Sequence, residues 1–173
     1  MEYPQAYIQY LVYFHGNRDY FECHEVLEEY WKEVDPGNRS SHWVGLIQIA
    51  VGLYHYRRNN VDGAKRMLSK ALKNTEENQE VLNQLGLNPS SLIRTLEKTI
   101  NDIDGQLPYN SLDLPIKDPA LLTKAEQLCE KEGYKWCMPS DLSNKELIHR
   151  HSMRDRTPVI TERLNALKKK RLT

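Results

Sequence analysis

The 173-residue sequence predicts an all-α protein: a compact five- or six-helix bundle of tetratricopeptide-like antiparallel hairpins, followed by a C-terminal extension. Two observations carry this prediction. Over the first hundred residues apolar side chains recur every three or four positions, and no convincing alternating stretch reads as a strand. A faint internal repeat supplies the hairpins. Aligning Cys23 with Ala64 superposes two helix–turn–helix units at an offset of 41 residues. Each has a polar turn (Gly16-Asn17-Arg18-Asp19 and Arg58-Asn59-Asn60) and a small residue at the fifth position of its second helix, where two helices can pack closely.

The elements follow in order. Tyr3, Tyr7, Tyr10 and Tyr13 form a helical stripe over about 3–15, and it reads as core-facing. A second helix over 19–33 opens on Asp19 with Glu22 three residues later, a capping-box-like pair. Asp-Pro-Gly-Asn at 35–38 is a turn. The segment SHWVGLIQIAVGLYHYRR, 41–58, is apolar nearly all round and reads as the central helix. Helices over 61–73 and 76–85 come next, and Asn-Pro-Ser-Ser at 88–91 starts a sixth over 90–103. Residues 104–119, DGQLPYNSLDLPIKDP, hold three prolines and break the pattern. The chain therefore divides into a bundle, 1–104, a Pro-containing linker, 105–118, and an extension, 119–173, with one helix over 119–132 and a basic tail.

The 24 basic residues balance 24 acidic ones, so composition points to neither a nucleic acid nor a membrane as partner. The charge is unevenly placed, however. Residues 134–173 carry ten Lys or Arg against four Asp or Glu, which marks this segment as a surface for a protein partner. The opening MEYPQAYIQYLVYF lacks a basic leader and a cleavage site, and no uncharged apolar run reaches membrane-spanning length. Cys23, Cys129 and Cys137 are odd in number and form no C-x-x-C pair, as expected of a cytoplasmic protein.

The candidate chemistry lies in DYFECHEVLEEYW, 19–31. Its HEVLE resembles the H-E-x-x-H zinc-protease motif, but Glu28 stands where the second histidine is needed. At about 100° per residue, Tyr20, Cys23, Leu27, Tyr30 and Trp31 share one apolar sector, with His24 and Glu28 bracketed by hydrophobes at its edge and expected to face the core. Glu25 lies nearest the boundary. On the central helix Gly45 and Gly52 share a stripe with Gln48 and His55 beside them. Glycines so spaced admit a neighbouring backbone, and buried polar groups need polar partners. The expected site is thus one cluster of His24, Glu25, Glu28, Gln48 and His55 between the second and third helices.

DYFECHEVLEEYW followed by GLIQIAVGLYHYRRNNVDGA resembles the signature of the domain of unknown function 309 family, over about residues 10–75. In the last block Asn60-Val61-Asp62-Gly63-Ala64 replaces a glycine-led turn. The resemblance implies a small, bacterial or archaeal, all-helical protein and brings no established activity with it.

Two functions remain open on these residues. One is a non-enzymatic binding or adaptor domain without a cofactor, in which the cluster fixes helix register or lines a groove. The other is a metal-binding protein or metal-dependent enzyme, with His24, Glu28 and His55 holding zinc, iron or manganese. Acid–base chemistry by a His–Glu pair is a variant of the second, but no nucleophile is marked. Cys23 and His24 diverge by about 100° on a helix and do not meet.

Overall fold

The computed structural model describes residues 2–153; the basic run 168–171 and the rest of 154–173 lie outside the described residues. Nine helices are present among them: α1 (Gln5–His15), α2 (Tyr20–Val34), α3 (His42–Arg57), α4 (Val61–Glu77), α5 (Gln79–Gln84), α6 (Pro89–Asp104), α7 (Pro119–Lys131), α8 (Lys145–Ile148) and α9 (Arg150–Met153). The one β feature among these residues is an isolated bridge between Leu87 and Ile116. The all-helical prediction holds, with six helices in residues 1–104.

The two hairpins match in backbone detail. At the α1–α2 turn Arg18 adopts φ 56°, and at the α3–α4 turn its counterpart Asn59 adopts φ 66°. The caps that follow, Asp19 and Asn60, share φ −85° and ψ within a degree of one another, 79° and 78°. Each accepts the backbone N–H three residues on, from Glu22 at 3.2 Å and Gly63 at 3.1 Å. This is the N-cap bond that asparagine and aspartate are suited to make. Cys23 and Ala64, then Leu27 and Leu68, are fully buried in pairs along the second helix of each hairpin.

α3 packs against both α2 and α4, as expected of a helix apolar all round; α6 covers α4 and α7 covers α1. The glycine stripe faces α4, not α2. A Cβ on Gly45 would overlap Asn74, and one on Gly52 would overlap Leu68, both on α4. α4 also runs four residues beyond the expected end. Its polar stretch looks like a loop in sequence, but Asn74 is buried and donates to Ser41 O at 2.9 Å, and the Thr75 hydroxyl returns to Ala71 O at 2.8 Å.

Residues 105–118 run across the bundle and bury Leu114 in its core, while Leu121 and Ala125 of α7 join the same core. Two buried arginines tie the later chain to the hairpin turns. Arg18 donates to Met138 O at 2.7 Å and Leu112 O at 2.6 Å, and pairs with Asp113 at 2.7 Å. Arg57 donates to Arg18 O at 2.7 Å, to Ser140 Oγ at 3.3 Å and to Leu147 O at 3.4 Å. No described helix is long and apolar enough to cross a membrane.

Candidate functional site

The cap at Asp19 starts α2 so that Tyr20, Cys23 and Leu27 point inward and are fully buried. His24 and Glu28 lie at the edge of that face. Their side chains are 29% and 34% exposed, so the core-facing position expected for them is instead a boundary position. The reason is geometric: the buried face of α2 is narrow, and Tyr20, Cys23 and Leu27 fill it. The two side chains do meet one turn apart, with His24 Nε2 2.7 Å from Glu28 Oε2. Lys32 Nζ lies 3.2 Å from the other Glu28 oxygen, and Glu25 Oε1 lies 3.3 Å from His24 Nδ1. Glu28 thus takes its partners from its own helix, at i−4 and i+4. Such half-exposed pairs contribute well under about 1 kcal/mol each.

His55, near the C-terminal end of α3, looks elsewhere for polar partners. Its Nδ1 accepts from the Arg58 guanidinium and the Asn60 amide, both at 3.3 Å. Burial first, and then the positive charges of Arg58, His151 and Arg66, hold its pKa below the ordinary histidine value. Gln48 is half-buried, and its Oε1 is shielded from solvent without a hydrogen-bond partner in the structure. The five expected residues therefore do not form one hydrogen-bonded cluster. Among the described residues no three His, Cys, Asp or Glu side chains form a group that could hold a metal ion.

What the fold does bring together is His24 and His55. Both line a cleft of about 190 Å³ between α2 and α3, with Tyr20, Phe21, Val51, Tyr54 and His151. Glu25 and Glu28 line a separate groove with Gln9, Tyr13 and Lys32. The wall of the first cleft is aromatic: Phe21 sits 6.1 Å from Tyr54 and 6.2 Å from His24, centroid to centroid. His151 closes one side, edge-on to Tyr54 at 5.4 Å, with its backbone N–H donating to the Tyr54 hydroxyl at 3.0 Å. The same hydroxyl bonds His151 Nδ1. Sequence reasoning missed Phe21, Val51, Tyr54 and His151 as lining residues. Phe21, Val51 and Tyr54 carry no signal beyond an apolar face, and His151 lies 96 residues from His55, a pairing visible only once α9 is docked.

Cys23 completes the picture by exclusion. Its thiol donates to Tyr10 O at 3.5 Å inside the core, and burial pushes its pKa well up. It is a core side chain facing α1, turned away from His24, as the helical angle requires.

Comparison with known proteins gives the same helical region a family. A family model described as Domain of unknown function (DUF309) matches residues 7–67. The uncharacterized protein YpuF of Bacillus subtilis (strain 168) is 46% identical over 169 residues, covering 98% of this chain and 97% of its own. No solved structure matches the chain. The matched region runs from α1 through the first two turns of α4, and a relative this similar extends the likeness over nearly the whole chain; the chain belongs to the DUF309 family.

Proposed function

We propose that the protein is a non-enzymatic binding domain whose α2–α3 cleft takes one apolar side chain of a protein partner. The observation that supports this is the cleft itself. Its size, about 190 Å³, suits a single side chain, and Phe21, Val51 and Tyr54 line it together with His24 and His55. A mostly apolar concavity with a few polar groups is the common form of a small recognition site. Among the described residues no thiol or hydroxyl nucleophile pairs with His24, which favours binding over catalysis: Cys23 faces the core, and Glu28 spends both oxygens on His24 and Lys32. The three described cysteines are free thiols, which suits the cytoplasmic location read from the sequence. Met138, Ser140 and Leu147 engage the bundle, and the basic contact with a protein partner expected over residues 134–173 is part of this proposal.

A metal site on His24, Glu28 and His55 is the second reading, favoured by the two imidazoles that share the cleft. It requires the His24–Glu28 bond to open first. One titration separates the readings. Indole, a probe for an aromatic side chain, is expected to shift the amide resonances of Phe21, Val51 and His55, and Val51→Phe, which fills the cleft, to abolish those shifts. Shifts elsewhere, or shifts unchanged in Val51→Phe, refute the side-chain pocket. Zinc bound stoichiometrically and lost in His24→Ala establishes the second reading instead.

A further inference from the structure

Among the described residues the charges around the α1–α2 and α3–α4 turns do not balance. Arg18 pairs with Asp113 at 2.7 Å; Arg150 pairs with Asp19 at 2.8 Å and reaches Glu146 at 3.8 Å. Arg57 and Arg58, side by side at the end of α3, have no carboxylate at salt-bridge distance among the described residues. Arg57 is only 6% exposed, and what it touches is neutral: the carbonyls of Arg18 and Leu147, the Ser140 hydroxyl, and the Tyr20 ring 4.6 Å below its guanidinium. Arg58 touches His55 Nδ1 and lies 5.7 Å over the Tyr54 ring. A buried cation without a counter-ion is costly, because carbonyl dipoles and ring faces replace only part of its hydration. The C-terminal dipole of α3 offsets about half a charge against two full positive charges.

Both arginines line one open cleft of about 340 Å³, with Asn59, Tyr109 and His149 also in its wall. No aspartate or glutamate among the described residues lines it. We propose that this cleft binds a phosphate group, as free phosphate or as the phosphomonoester of a small molecule. A dianion supplies the missing charge. A tetrahedral oxyanion also accepts hydrogen bonds from several directions, which suits a wall contributed by the α3–α4 turn, the 105–118 segment and the α8–α9 junction. Arginine is well fitted to such a group. The site is distinct from the apolar cleft and does not rest on the binding reading above.

The test uses the full chain and inorganic phosphate, followed by amide NMR and thermal unfolding, with chloride at matched ionic strength as the control. Phosphate is expected to move the resonances of Arg57, Arg58, Asn59 and His149 saturably and to raise the melting temperature. Arg58→Gln is expected to weaken binding at least tenfold, and Arg94→Gln, exposed on α6, to leave it unchanged. Equal binding in Arg58→Gln, or shifts that chloride reproduces, overturns the proposal. Should Arg58→Gln not fold, the unmodified protein decides alone: saturable shifts confined to residues away from 57–59 and 149 overturn it equally. Glycerol phosphate distinguishes the source, since tighter binding than phosphate assigns the esterified group and weaker binding the free ion.

Discussion

His15 makes the stability of this fold depend on pH. It ends α1, is almost wholly buried, and uses both ring nitrogens. Nδ1 bonds Leu11 O at 2.9 Å, so it carries the proton, while Nε2 accepts the Leu114 N–H at 2.9 Å. Trp136 stacks on the ring at 4.5 Å. Protonating Nε2 would set N–H against N–H and place a charge in the core near Arg18. Burial foremost, with Arg18 adding to it, pushes the pKa down to about 4, against about 6.5 in an unfolded chain. The sign follows from linkage. Between those values the unfolded state binds the proton and the folded state does not, so stability is full above about pH 6.5 and declines as pH falls toward 4. At about 1.4 kcal/mol per pH unit this contribution is about 3 kcal/mol. Urea unfolding of the protein and of His15→Gln between pH 7 and 4 isolates it, because the other groups titrate in both. The stability advantage over the variant is expected to shrink by about 3 kcal/mol across that range. An advantage that stays constant with pH would refute the reasoning.

Two further predictions follow from the packing. Gly45→Ala, worth about +1 kcal/mol in an exposed helix, is expected to destabilise by about 1–3 kcal/mol in chemical denaturation, because the new Cβ would lie 2.1 Å from Asn74 Oδ1 and displace the amide whose Nδ2 donates to Ser41 O. Deleting residues 134–173 strips Met138, Ser140 and Leu147 from Arg18 and Arg57, and a fall of about 3 kcal/mol or more is expected; a truncated chain with an unchanged melting temperature would show that these contacts carry no stability.

The helices were legible because their signals are local. Asp19 with Glu22 announces a cap, Asn-Pro-Ser-Ser at 88–91 announces a helix start, and the apolar spacing of the first helices is regular. The repeat showed faintly as two polar turns and two small residues; that Arg18 and Asn59 share a left-handed backbone came only from the structure. The site was legible only in part. The wheel paired His24 with Glu28 and set His55 on the facing helix, but it could not say how deep α2 sinks. It also assigned the glycine stripe of α3 to the wrong neighbour, since a close approach at Gly45 and Gly52 is equally compatible with α2 or α4.

By itself, then, the sequence determined the helical hairpins, their caps and turns, and the central place of α3, because hydrogen bonds within four residues and the periodicity of one helix suffice for these. Only the tertiary structure decided that α4 fills the glycine stripe, that residues 105–118 and α7 enter the core, and that His151 joins His24 and His55. Among the described residues, it alone left Arg57 and Arg58 without a carboxylate at salt-bridge distance. Contacts between residues tens of positions apart depend on how whole faces pack, and no local pattern encodes that choice.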